Sequence, residues 1–311
     1  MILKKILLHF FNLLKFPINQ IIKIKKFKKL NFMSKSIFEG EIVTILPKVY
    51  YYDILFNNKQ IKKIYDFVTH QTQSELLLKE IIYNLYSNNY FDKKNSIIDI
   101  GCWIGDNSVV WSKMIDISAK LYAIDPSPEN LQFGKELSKL NKIYNIEWIN
   151  AVCSETVGEK LEFKGNLDHT SFFEHKDISN SKNVILSNTL DNIVNENNHY
   201  NISLIHVDVE GFEFKVLKGA KKIINKSKPL ILYEQHISSE DINIIKNYLE
   251  YFGYDIYMIN EIIPGNALDN RNFIAFSNKN IPNYILKNTD QHKNVKSGIF
   301  NACVGDKIIK I

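Results

Sequence analysis

A chain of 311 residues, 45% hydrophobic and 23% charged, has room for one large domain or two small ones and the composition of an ordinary globular protein. Its net charge of +5 is uneven: residues 1–35 hold many lysines and no acid, so the rest is nearly neutral and gives no reason to expect a specific nucleic-acid partner. Cys102, Cys153 and Cys303 form no C-x-x-C pair, which argues against a zinc site or disulfide framework and fits a reducing compartment such as the cytoplasm.

In chain order, the first element is a basic leader, residues 1–33. Ile2, Leu3, Ile6, Leu7, Phe10, Leu13 and Leu14 recur at helical spacing between Lys4, Lys5, His9 and Lys15, and Pro17 ends the run. The apolar stretch is too short and too charged to span a bilayer, which needs ~20 apolar residues. A helix lying on an anionic membrane surface through residues 1–30 is one expectation. A helix packed on the core is the other. Residues 34–70 follow as a small cap, rich in β-branched and aromatic residues and punctuated by Gly40 and Pro47.

From there the pattern alternates. A helix is expected over 74–86, with Ser74 as N-cap. Strands are expected at 96–100, 120–124, 146–152, 203–209 and 229–233, with helices at 107–114, 128–140, 212–225 and 238–252, the last capped by Ser238. Two further strands fall at 254–259 and 273–277. Such βα units predict an α/β fold: a Rossmann-like, mainly parallel, doubly wound sheet with a terminal antiparallel strand, over residues 71–280. The connection between Leu161 and Ser187, with His169, Thr170 and Ser171, reads as a long loop suited to a lid or as a disordered insertion, and residues 281–311 read as an irregular tail.

The chemistry gathers at strand ends. The first βα turn reads Asp99-Ile100-Gly101-Cys102-Trp103-Ile104-Gly105, a G-x-x-x-G spacing instead of the G-x-G-x-x-G of a dinucleotide fold. With an acid two residues before the first glycine, this is the shape of an S-adenosylmethionine site, where no pyrophosphate needs cradling. Asp125 ends the next strand, about 25 residues on, where a carboxylate can accept both ribose hydroxyls. It can equally cap the following turn. Cys102 reads as a packing residue.

These pieces resemble the FkbM-type methyltransferases. The resemblance runs from about Thr72 to Glu234 through DIGCWIGDNS (99–108), AIDPSPEN (123–130), INAVCSE (149–155), TLDNIV (189–194), HVDVEGFEFKVLKGA (206–220) and PLILYE (229–234). It implies a class I methyltransferase with S-adenosyl-L-methionine as cofactor. The cofactor would be held by Asp99, Gly101, Cys102, Trp103, Gly105, Ser108, Asp125, Pro126, Asn150 and Ala151. It implies O-methylation of a hydroxyl on a sugar, glycan or other metabolite. Three positions depart from the pattern: Trp103 stands where a small polar residue, often Asn, is usual, Asp125 where Glu is commoner, and His206 where Lys is frequent.

Asp208 and Glu210, two apart at an expected strand end, should face one side, one orienting a ligand and the other accepting a proton. Both could instead hold a divalent cation or complement the helix that follows. His236, after the next strand, is a further candidate base beside Asp208. An RNA or protein methyltransferase is the competing enzyme reading. A non-catalytic, membrane-tethered module that keeps the fold is the competing reading from outside catalysis.

Overall fold

The computed structural model describes residues 22–24, 54–56, 76–164, 172–174, 184–196, 201–236, 241–260, 270–277, 281–286 and 306–311. The leader and cap lie outside them, except for β1 (Ile22–Ile24), which pairs antiparallel with β2 (Ile54–Phe56).

The centre of the molecule is an eight-stranded sheet. Its parallel part runs β5 (Ile146–Asn150), β4 (Leu121–Asp125), β3 (Ser96–Ile100), β10 (Ile202–Val207) and β11 (Leu230–His236). Beyond β11 come β13 (Asn270–Phe276), antiparallel to it, then β12 (Asp255–Ile259) and β14 (Ile308–Lys310). The antiparallel strand of the expected fold is therefore β13, wedged between β11 and β12. The order reverses between β3 and β10: β4 and β5 lie on one side, and all later sheet strands on the other. It is at such a reversal, outside the carboxyl ends of the strands, that open α/β sheets take their ligands.

The central strands β3, β4 and β10 are buried throughout and nearly continuous apolar runs because both faces are covered. Alternation along each strand splits the core in two. Ile97, Leu121, Leu204 and Leu232 pack on α1 (Leu76–Ser87) and α2 (Asp106–Trp111) through Leu78, Ile82 and Trp111. Ile98, Ile124, Ile205 and Ile231 face the other layer. That layer includes α4 (Leu190–Glu196), α5 (Glu213–Lys218), α6 (Lys221–Ser227) and α7 (Ile242–Tyr251). α3 (Pro128–Leu140) is capped by Ser127, whose side chain accepts from the Asn130 amide, with proline in its first turn.

Five expectations are corrected. The 161–187 connection is not bare loop: β7 (Lys160–Lys164), β8 (Phe172–Glu174), β9 (Val184–Asn188) and β6 (Val152–Cys153) make a second, four-stranded sheet. His169, Thr170 and Ser171 lie outside the described residues. The tail contributes α8 (Asn283–Leu286), whose Ile285 is buried, and the edge strand β14. The single helix expected over 212–225 is two, α5 and α6, breaking where Gly219 passes so close to Ser154 that a Cβ would sit 2.1 Å from its carbonyl oxygen. The N-cap of α7 is Asp241, accepting from the Asn243 amide at 2.9 Å, while Ser238 is outside the described residues, as is Ser74. Lastly, β10 ends at Val207, two residues short of the expected strand.

Candidate functional site

The first βα turn is built by glycine and by two buried acids. Gly101 has φ 76°, and a Cβ there would meet the Asp208 carbonyl oxygen at 1.6 Å. The loops after β3 and β10 thus touch backbone to backbone, and only glycine permits it. The Asp208 amide donates to the Ile100 carbonyl at 3.0 Å, and the Gly101 and Cys102 amides share the Ile124 carbonyl. Gly105, φ 77°, starts α2, and a Cβ on it would lie 2.3 Å from the indole of Trp148 on β5. A Cβ on Gly134 of α3 would meet the same ring at 2.3 Å. Trp148 is therefore slotted between two glycines and ties β5 to the start of α2 and the middle of α3.

Asp99 is 1% exposed. Its Oδ1 accepts from His206 Nδ1 at 2.8 Å and its Oδ2 accepts from the Ser108 hydroxyl. The carboxylate is thus turned into the molecule, tying β3 to β10 and to the first turn of α2. His206, itself buried, stands edge-on to Trp111 with ring centroids 5.2 Å apart.

Asp125 is 5% exposed. Its Oδ1 accepts from the Ser127 amide at 2.8 Å and the Asn130 side-chain amide at 3.2 Å, and its Oδ2 from the Trp103 amide at 3.0 Å. Burial pushes this carboxyl up to about 6, opposed by those three hydrogen bonds. Asn150 fastens the neighbouring strand end by donating to the carbonyls of Asp125 at 3.1 Å and Pro126 at 2.8 Å. Pro126 and Cys102 are buried, Ala151 is half-buried, and Asn150 is exposed. The glycine loop, Asp125 and Asn150 are thus brought together at adjoining strand ends. Asp99 and Ser108 lie beneath them.

Asp208 and Glu210 do not lie on a strand. Both belong to the loop between β10 and α5, and Glu210 has φ 52°, so two-residue alternation does not govern where they point. The loop is organised by Glu213, an acid that sequence reading gave no role. Glu213 is 2% exposed, and its carboxylate accepts from the amides of Val209 and Gly211, each at 3.0 Å. Its signal is its spacing: a carboxylate in the first turn of α5 that reaches back to the loop amides, as a capping box does. Asp208 and Glu210 are both half-buried.

β10 ends at Val207, which pairs with Tyr233 of β11, and His236 closes β11 three residues further along, paired with Asn270 of β13. Glu234 is half-buried. The side chain of His236 lies outside the described residues. Among the described residues, no group of three His, Cys, Asp or Glu is placed to hold a metal ion. No described helix is long and apolar enough to cross a membrane.

Seven strands in the order β5-β4-β3-β10-β11-β13-β12, with a glycine turn after β3 and an acid closing β4, define the Rossmann-like class I methyltransferase fold. The family described as the methyltransferase FkbM domain matches residues 99–256, just over half of the chain, and the chain belongs to that family. A comparison with curated proteins finds no match. Among solved structures, the chain is similar to the methyltransferase FkbM from Methylobacillus flagellatus KT, at 16% identity and TM-score 0.45 over 70% of this chain and 59% of that one. It thus spans less than two thirds of that protein. A precorrin methyltransferase from Geobacter metallireducens shares 11% identity at TM-score 0.38, over 63% of this chain and 86% of that one. An rRNA methylase from Streptococcus thermophilus shares 14% at TM-score 0.36, over 63% and 95%.

Proposed function

We propose that the chain is an S-adenosylmethionine-dependent O-methyltransferase acting on a hydroxyl of a sugar, glycan or other metabolite. The observation that carries this reading is the junction of the two loops at the sheet's switch point. The glycine turn expected to hold the cofactor meets, through Gly101 and Asp208, the loop that carries the acids Asp208 and Glu210. On this reading the cofactor turn and the proton acceptors lie at the same strand ends.

The residues suit the cofactor. Asp125 makes three hydrogen bonds, and a carboxylate offers about four acceptor positions, so one remains for a ribose hydroxyl. Gly101 and Gly105 keep the turn free of side chains, and Asn150 fixes the neighbouring strand end. When bound, the cofactor supplies an activated methyl group. What the chain contributes is alignment of an acceptor oxygen, exclusion of water, and removal of the hydroxyl proton. Asp208 and Glu210 are the acceptors for that proton, with His236 at the outer end of β11 as a further base.

Calorimetry with S-adenosylmethionine, followed by turnover screens against purified glycans, sugar nucleotides and lipids, tests the reading. Saturable cofactor binding with methyl transfer to a hydroxyl supports it. Transfer to RNA or protein alone would overturn the substrate class, and no cofactor binding would overturn the whole.

A further inference from the structure

α7 has two apolar sides. Ile245 and Leu249 are buried in the core, as an amphipathic helix requires. On another side Ile244, Tyr248 and Tyr251 recur at helical spacing, and of these Ile244 is 47% and Tyr251 82% exposed. The row continues into a chain of rings. Phe214 of α5 meets Tyr248 with centroids 5.6 Å apart, Tyr248 meets Phe252 at 5.1 Å, and Phe252 meets Tyr251 at 5.3 Å. A connected apolar surface of this kind marks a contact with something else.

Lysines frame it. Lys218 Nζ lies 5.1 Å from the centre of the Phe214 ring, and Lys228 Nζ 5.8 Å from that of Phe252. Residues 215–228, which run from α5 through α6, hold six lysines and no acid. The start of α6 is near the row as well. Burial raises the pKa of the Tyr248 hydroxyl and the charge of Asp191 adds to it, and that same carboxylate accepts from the Lys222 amide at 2.8 Å. The acids around the row are engaged: Glu155 pairs with Lys218, Asp191 holds the amides of Lys222 and Ile223, and Glu250 lies 3.9 Å from Lys246. The surface is thus apolar along its middle and positive at its border.

We propose that this face of α5, α6 and α7 rests on an anionic lipid surface. The lysines meet the anionic headgroups, and Ile244 and Tyr251 enter the interfacial layer, where tyrosine is favoured. Two other occupants match the face less well. A second copy related by a twofold axis would set the same lysines against each other. RNA would need open ring faces for its bases. Here the rings stand at steep angles to one another, 88°, 65° and 90°, and lysines cover two of them.

The test is sedimentation of the full chain with vesicles of phosphatidylcholine alone and of phosphatidylcholine mixed with phosphatidylserine. Wild type is compared with Ile244→Gln/Tyr251→Gln and with Lys221→Gln/Lys222→Gln. All four side chains are exposed, so thermal midpoints should match wild type. Wild type should bind the vesicles that contain phosphatidylserine, and added salt should weaken the binding. The lysine pair should weaken it roughly 10- to 30-fold. The apolar pair should weaken it at least ~5-fold. Wild type that does not distinguish phosphatidylserine overturns the inference. So does binding that either pair leaves unchanged; with neither changed, the lysines of residues 1–35 carry it. Displacement of wild type from the vesicles by polyuridine RNA would assign the face to RNA. A wild-type dimer that Ile244→Gln/Tyr251→Gln dissolves would assign it to a second copy. Either result overturns the inference.

Discussion

Asp99 and His206 are hydrogen-bonded at 2.8 Å across neighbouring strands, both side chains almost wholly buried. An ionised carboxylate only accepts, so the imidazole donates through Nδ1. The pair is the joint between the cofactor turn and the loop of acids, since β3 and β10 lead directly into them. Removing the imidazole leaves a buried carboxylate with Ser108 as its remaining side-chain donor among the described residues. His206→Ala should therefore lower stability by about 3 kcal/mol, measured by urea unfolding. In a double-mutant cycle with Asp99→Ala the loss in the double mutant should fall short of the sum of the single losses by more than about 1 kcal/mol. Additive losses would mean that the bond contributes little beyond packing.

The slot around Trp148 gives a prediction whose sign reverses. A glycine inside α3 should by helix propensity be improved by alanine, by about 1 kcal/mol. At Gly134 the new Cβ would meet the indole at 2.3 Å, so Gly134→Ala should destabilise the protein. In a Trp148→Ala background the obstruction is gone, and the same substitution should stabilise. Thermal melts of the four proteins check this. A gain from Gly134→Ala in wild type would show that the indole moves aside at little cost.

Much of the fold is legible in the sequence, and the reason is local. Runs such as Ile97 to Ile100 and Leu204 to Val207 are buried on both faces, so hydrophobicity alone marks them, and glycine or an acid marks their ends. The turn at Gly101 and the acid at Asp125 follow from the same pattern. What is not legible depends on contacts between distant residues. At the break between α5 and α6, Gly219 faces the Ser154 carbonyl and Asp191 accepts from the Lys222 and Ile223 amides, contacts that nothing near Gly219 announces. β9 alternates weakly, since its apolar Val184 and Leu186 stay exposed, so its strand signal is faint. Asp99 reads as an acid facing a ligand, and its partner His206 lies more than a hundred residues away in sequence. The pairing of Val207 with Tyr233, and so how far His236 lies past the end of β10, is a matter of strand register, which periodicity does not supply.

Asp125 predicts two opposite pH responses. Its folded carboxyl titrates near 6 against an ordinary value of 3.8, because burial disfavours the charge. The folded state thus holds the proton more tightly than the unfolded one. The stability that Asp125 contributes is present in full below about 3.8 and is lost as pH rises through about 6, a change on the order of 3 kcal/mol. Cofactor affinity should run the other way, weakening as pH falls through about 6, because a protonated carboxyl has less acceptor capacity for a ribose hydroxyl. Asp125→Asn should flatten both profiles. Urea melts and calorimetry between pH 4 and pH 8 measure them, and a cofactor affinity that ignores pH in wild type would remove Asp125 from the ribose.

The final prediction concerns the loop of acids. Asp208 and Glu210 are half-buried, and Glu213 holds their loop in shape through the amides of Val209 and Gly211. A hydroxyl attacking a methyl group must lose its proton during or after transfer, and a carboxylate within about 3 Å of that oxygen can take it. Asp208→Asn and Glu210→Gln keep shape and remove charge. Each should cut turnover at least ~100-fold, the low end for a positioned acid–base group, while thermal stability and cofactor affinity stay near wild type. Turnover in wild type should fall with acid as the base protonates, and the variants should lose that limb of the profile. Glu213→Ala acts differently: it strands two amides, so stability should fall by about 1–3 kcal/mol along with activity. Glu213→Gln, which keeps an acceptor oxygen, should recover part of both. Loss of wild-type turnover on chelation would reassign the two acids from a proton to a cation. Near-normal turnover in both Asp208→Asn and Glu210→Gln would leave alignment of the substrate oxygen as the chain's main contribution, with the proton passing to His236 or to solvent.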